Sequence, residues 1–116
     1  MRLLVCGSRH LTGFKLVSDH ILKHCPDYTV MIHGGARGAD SLAGMVAYQA
    51  GKEVEIFRAN WQAHGRAAGL IRNQRMLDEG KPDMVIAFLA PDSRGTRDMI
   101  ARAERANIPT AIVEVG

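Results

Sequence analysis

Val30-Met31-Ile32-His33-Gly34-Gly35-Ala36-Arg37-Gly38-Ala39-Asp40-Ser41 is the stretch whose reading decides the fold. An apolar run ends in a glycine-rich turn, and a helical pattern follows over residues 41–50. A turn from a buried strand into a helix lets backbone N–H groups converge on an anion at the helix N-terminus. Gly34, Gly35 and Gly38 remove side chains where a phosphate needs close backbone approach, and Arg37 adds a planar cation. His33 stands where an imidazole can bond a phosphate or a ribose. Asp40 is placed to cap the helix, a contribution of about 1 kcal/mol.

Outward from this turn, short apolar runs recur at residues 3–6, 29–32, 54–57, 84–89 and 110–115. Most lack polar alternation, as strands covered on both faces do. Helix-length segments lie between them at 14–25, 41–50, 67–79 and 97–106. In the first of these, Phe14, Val17, Ile21 and Cys25 share one face. Strand and helix in alternation predict an α/β fold, a Rossmann-like three-layer sandwich with a parallel five-stranded sheet. No repeat or linker divides residues 1–116, so the reading is one domain. Ligands of such sheets bind beyond the carboxyl ends of the strands. Four connections fall there: Gly7-Ser8-Arg9, residues 33–40, residues 58–66 and residues 90–96, and all four carry Arg.

The composition agrees with a small soluble domain, 47% hydrophobic and of net charge +3. A chain this long buries roughly 65% of its unfolded surface in one core. Eleven of the fifteen basic residues are Arg, the better partner for bidentate phosphate contacts. Residues 56–77 contain no acid against Arg58, Arg66, Arg72 and Arg75. That is a local anion-attracting segment, not a basic domain of nucleic-acid scale. No apolar run approaches the roughly 20 residues of a membrane span, and the run after Met1 is too short for a signal peptide. Cys6 and Cys25 lack C-x-x-C spacing and read as core thiols of a reducing compartment, which places the chain in the cytoplasm. His20 and His24, at i and i+4, lack the third ligand of a metal site; no metal or cofactor is expected.

Two further constellations carry chemistry. Ser93-Arg94-Gly95-Thr96-Arg97-Asp98 follows an apolar run. Gly95 relaxes the turn, Thr96 is placed to cap the next helix, and Arg94 and Arg97 flank a positive helix end, which costs energy unless an anion compensates. In the segment from Gly65 to Leu77, Arg72 stands one turn from Met76 and next to Asn73. Trp61, the single tryptophan, follows the third strand and offers a base-stacking wall. The glycine turn is neither a G-x-G-x-x-G fingerprint, since His33 takes the first glycine position, nor a P-loop.

Together these motifs resemble the SLOG superfamily of Rossmann-like nucleotide-binding domains, and most closely its branch named for YspA. The resemblance rests on Val5-Cys6-Gly7-Ser8-Arg9, on residues 33–40, on Ala59-Asn60-Trp61, on Ala68-Gly69 and Arg72-Asn73, and on residues 93–98. It implies a nucleotide-derived ligand, a nucleoside phosphate or an ADP-ribose type of molecule, that is bound, sensed or processed. It also implies a homodimer or larger assembly. Arg72-Asn73-x-x-Met76 and Arg94-Gly95-Thr96 are similar to motifs of the Lonely Guy phosphoribohydrolases, which cleave the N-glycosidic bond of nucleoside monophosphates. The catalytic Glu of those enzymes corresponds to Met99 here; Asp98 lies one residue early, about 100° around an ideal helix. The glycine turn and Arg72-Asn73 are similar to DprA, which binds single-stranded DNA. Strand binding requires a long basic groove with several aromatic platforms, and this chain has one Trp, two Tyr and three Phe.

The expected function is therefore binding or sensing of a nucleotide-like small molecule, without nucleic acid or membrane as partner. The expected ligand contacts are Gly7, Ser8, Arg9, His33, Gly34, Gly35, Arg37, Gly38, Asp40, Trp61, Arg72, Asn73, Arg94, Gly95 and Thr96. In the alternative of an N-glycosidase, Arg72 and Asp98 are the catalytic candidates, and single-stranded DNA binding is the third reading.

Overall fold

The computed structural model describes residues 1–116. Five strands form one sheet: β1 (Arg2–Gly7), β2 (Val30–His33), β3 (Glu53–Ile56), β4 (Met84–Leu89) and β5 (Thr110–Glu114). All neighbouring pairs are parallel, in the order β3-β2-β1-β4-β5. The parallel sheet read from the apolar runs is thus present, with each strand within two residues of its expected ends. The chain walks outward from β1 to β3, then returns to the other side of β1 with β4. Strand order reverses between β1 and β4, and the loops there part to leave a crevice.

The helices are α1 (Phe14–His24), α2 (Ala39–Gln49), α3 (Trp61–His64), α4 (Ala68–Asp78) and α5 (Arg94–Arg105). Strand side chains alternate between two cores, as the pleat requires. Leu3, Val5, Met31, Ile86 and Phe88 pack with Val17 and Ile21 of α1 and Ala43 and Ala47 of α2. Leu4, Ile32, Val85 and Ala87 face the other way, onto Met76 and Leu77 of α4 and Met99, Ile100 and Ala103 of α5. That is the three-layer sandwich. The two edge strands, β3 and β5, are only partly covered, and β3 alternates Glu53 and Glu55 with Val54. No helix is long and apolar enough to cross a membrane.

Three local expectations are corrected. Trp61 opens a short helix where a loop is expected; the Asn60 side chain caps it, accepting from the Ala63 amide at 3.1 Å. A 3-10 turn, Gly65–Ala67, leads into α4. Helix α2 begins at Ala39 with Gly38 as its N-cap, so Asp40 lies inside the first turn and is not the cap. Helix α5 begins at Arg94 with Ser93 at the cap position, so Thr96 is also inside the first turn and caps nothing.

Candidate functional site

At the crevice between β1 and β4 lies a cavity of about 350 Å³. Its floor is the end of β1, from Cys6 through Gly7 and Ser8 to Arg9, and α4 contributes Arg72, Asn73 and Met76. Its far wall is the β4–α5 connection with the first turn of α5, from Asp92 to Thr96. Asp40 reaches it from α2. Gly7 earns its place by packing as much as by access: a Cβ there would lie 2.6 Å from the Phe88 carbonyl oxygen and 2.9 Å from the Ala39 Cβ. The Ser8 amide continues the ladder to the Phe88 carbonyl at 2.9 Å, and the Ser8 hydroxyl accepts from the His10 amide at 3.2 Å.

A second cavity, of about 340 Å³, adjoins the first and shares Arg9, Ala36 and Arg72 with it. Gly34, Gly35 and Arg37 of the β2–α2 turn line it, opposite Arg58, Ala59 and Trp61. Trp61 is 57% exposed and lines this cavity.

The glycine turn is built differently from the anion cradle its sequence predicts. The amides of Gly34 and Ala36 donate to Asp40 Oδ2 at 3.0 and 3.2 Å, and the Gly35 amide donates to His33 Nδ1 at 3.0 Å. Three N–H groups of the turn are therefore already satisfied from within. Asp40 supplies the anion. Burial pushes its carboxyl up to about 6, against the pull of the Ala36 amide, the Arg72 charge and the Gly34 amide. His33 is buried beneath the turn and lines neither cavity. Burial, with Arg58 and Arg72 nearby, holds its imidazole down at about 4, and its Nδ1 braces the turn by accepting from the Gly35 amide. Gly38 also lines neither cavity: at φ +77°, its Cβ would collide with the Ser8 and Arg9 backbone. Its lack of a side chain serves the docking of α2 on β1, where the Ala39 amide donates to the Ser8 carbonyl at 3.1 Å.

The Arg37 and Gly38 amides of the turn and the Asp40 and Ser41 amides of the first turn of α2 have no partner, and α5 leaves donors open in the same way. The Arg94 and Arg97 amides bond the Asp92 and Ser93 carbonyls, whereas the Gly95 and Thr96 amides have no partner. The Ser93 hydroxyl is turned away from them, accepting from the Ala90 amide at 3.2 Å. An orphaned pair of N–H groups on the first turn of a 12-residue helix is a seat for an anion. Of the arginines bordering this cavity, Arg9 and Arg94 make no side-chain hydrogen bond, and Arg72 donates to Asn73 and to the Gly34 carbonyl. The ion pairs of the chain involve Arg2, Lys15, Arg75 and Arg102, and leave Arg9, Arg37, Arg58, Arg72 and Arg94 without a carboxylate.

Asn73 ties these parts together. Its Oδ1 accepts from Arg72 Nε at 3.2 Å, and its Nδ2 donates to the Gly95 carbonyl at 3.1 Å and to Asp98 Oδ2 at 3.0 Å. Asp98 is held again by Arg102 Nε at 2.8 Å and lines neither cavity. The carboxylates that do border the first cavity are Asp40 and Asp92. His10, Asp92 and Arg58 line the cavities without any motif to announce them, and Ser93, the first residue of the 93–98 motif, lines the first cavity beside the expected contacts. The available signal for Arg58 was its position just past the end of a strand.

The first 64 residues match the YspA, cpYpsA-related SLOG family. The chain belongs to that family. A relative, the Gene 61 protein of Mycobacterium phage D29, is 39% identical over 117 residues, covering 93% of this chain and 92% of its own length. Its designation states no activity. Membership in the YspA-related SLOG family associates the chain with nucleotide-related ligands, bound or processed.

Proposed function

We propose that this protein binds a phosphorylated nucleotide derivative at the β1–β4 crevice, with a phosphate on the first turn of α5. The observation that carries the reading is the pairing of two partnerless amides, Gly95 and Thr96, with arginines that lack carboxylates, Arg9, Arg72 and Arg94, around one cavity. A bound phosphate satisfies the helix end and the guanidinium charge together. Gly7, Ser8, Asn73, Gly95 and Thr96 form the near walls of this seat, and Trp61 stacks the base or another planar group.

Binding without cleavage is the better supported form of this function. Glycosidic hydrolysis calls for a carboxylate beside an oxocarbenium-like sugar. Asp98, the candidate from sequence, is engaged by Asn73 and Arg102 and does not border the cavity.

A thermal-shift panel of nucleoside mono- and diphosphates and ADP-ribose, run beside an assay for released base, tests both points. A ligand at 100 times its Kd adds about 2.7 kcal/mol of stability. We expect a shift with at least one of these ligands and no release of base. A panel without any shift refutes the binding reading. Multiple turnovers that vanish in both Arg72→Ala and Asp98→Asn establish the hydrolase in its place.

A further inference from the structure

The second cavity is not needed for the phosphate at α5, and its lining is unusual. Four arginines line it, Arg9, Arg37, Arg58 and Arg72, and no acid does. None of the four has a carboxylate partner within ion-pair distance. The Arg37 side chain makes no hydrogen bond, and Arg58 makes one long bond, Nη1 to the Gly35 carbonyl at 3.5 Å.

The backbone is shaped to admit these cations. At φ +77° and +74°, Gly38 and Gly35 turn the chain so that Arg37 projects between them. A Cβ on Gly35 would lie 2.9 Å from Arg58 Nη1 and 3.1 Å from Ile56 Cγ2, so a side chain there would displace Arg58. The amides of Gly34, Gly35 and Ala36 are already bonded to Asp40 and His33, which leaves the Arg37 amide and the arginine side chains as the donors open to a ligand. Like charges held close together repel, and an anion between them removes that cost. The two cavities have similar volumes, near 350 and 340 Å³, each at the lower end of the roughly 300–1,000 Å³ range of small-ligand pockets.

We propose that the second cavity is an anion subsite of its own, so that the ligand carries two phosphate groups on separate positions, one on the first turn of α5 and one between Arg37 and Arg58. Arg9 and Arg72, which border both cavities, lie along the bridge between the two phosphates. Trp61, on the rim of the second cavity, stacks on the planar part of the ligand near that second group. This inference rests on the nucleotide reading above for the identity of the ligand, but the second anion subsite stands on the arginines themselves.

Inorganic phosphate, titrated at low salt against the full-length protein labelled with ¹⁵N, is the first probe. Two groups of signals are expected to move with separate saturation curves. One is the Gly95 and Thr96 amides; the other is the Gly35 and Arg37 amides with the Trp61 indole N–H. Arg37→Ala/Arg58→Ala is expected to weaken the second response at least tenfold and leave the first within twofold, while Arg94→Ala weakens the first alone. Because all three are exposed arginines, the variants stay folded. A silent second group, or a second group that follows the first curve and fails with Arg94→Ala, overturns the proposal. Movement of the second group without the first upholds the subsite and refutes the phosphate seat at α5. Calorimetry then compares AMP, ADP and adenosine 3′,5′-bisphosphate. At least tenfold tighter binding of the 3′,5′-bisphosphate than of ADP, which carries its phosphates in one chain, supports two separate positions. Equal affinities overturn that ligand class.

Discussion

The guanidinium of Arg72 occupies the space that a side chain on residue 34 would need. Its Nη1 donates to the Gly34 carbonyl at 2.6 Å, and a Cβ built on Gly34 would lie 2.7 Å from Arg72 Cζ and 3.0 Å from Asp40 Oδ2. A glycine in the β2–α2 turn thus seats an arginine from α4, and that arginine borders both cavities. Gly34→Val is expected to eject Arg72 from this seat. The overpacking costs about 1–3 kcal/mol, and nucleotide-induced stabilisation falls to near zero in the variant that remains folded. Thermal melts with and without ligand check this. A full ligand shift in Gly34→Val contradicts the role assigned to the Arg72–Gly34 contact.

Asn73 is expected to position Arg72 without touching the ligand's phosphate at α5 itself. Asn73→Ala removes the acceptor for Arg72 Nε and the donor to the Gly95 carbonyl, buried bonds whose loss costs about 1–3 kcal/mol. Ligand affinity falls with it, since both Arg72 and the α5 turn lose their tether. Asp98→Ala breaks the Asp98–Arg102 pair, whose side chains are 22% exposed on each side, and removes one acceptor of Asn73 Nδ2 while its bonds to Arg72 and the Gly95 carbonyl remain. Titration of both variants should show a larger affinity loss for Asn73→Ala than for Asp98→Ala. The reverse order gives Asp98 the direct role.

The buried Asp40 and His33 make opposing contributions to stability with pH. The Asp40 carboxyl is pushed up to about 6 from an ordinary value near 4. Between those values the folded protein keeps a proton that the unfolded chain has released, so this group lowers stability as pH rises. The His33 imidazole is held down at about 4 from 6.5, and there the unfolded chain keeps the extra proton, so this group raises stability as pH rises. Each slope integrates to about 3 kcal/mol. Asp40→Asn, whose amide oxygen still accepts from the Gly34 and Ala36 amides, is expected to gain stability from about pH 4 to 6.5 more steeply than the parent. Urea unfolding at several pH values measures this. Parallel pH profiles for parent and variant rule out the buried, weakly acidic Asp40.

Assembly is expected to use α4. Leu70 and Ile71 on its outer side are 43% and 38% exposed, beside the exposed Trp61, and such apolar surface is commonly covered by a second subunit. Light scattering on the eluted protein at micromolar concentration should give a dimer or larger species, and Leu70→Glu should shift it to monomer. A monomeric parent overturns the expectation.

Periodicity and composition by themselves determined the order of strands and helices, because burial on both faces imposes continuous apolar runs and amphipathic helices carry a 3.6-residue pattern. They also placed Ser8, Arg9, Arg94 and Thr96 at one edge, since every β–α connection of a parallel sheet emerges there. What tertiary structure alone decided is which groups remain free once the chain has folded. The glycine turn looks like an anion cradle in sequence, yet Asp40 and His33 satisfy three of its amides from within, and Arg72 arrives from 38 residues away to fill the space over Gly34. Open donors remain at Arg37 and Gly38 of the turn, and also at Gly95 and Thr96, residues that sequence assigns to a turn and a cap. A hydrogen bond depends on which partner reaches a group first in space, and residue spacing along the chain carries no record of that.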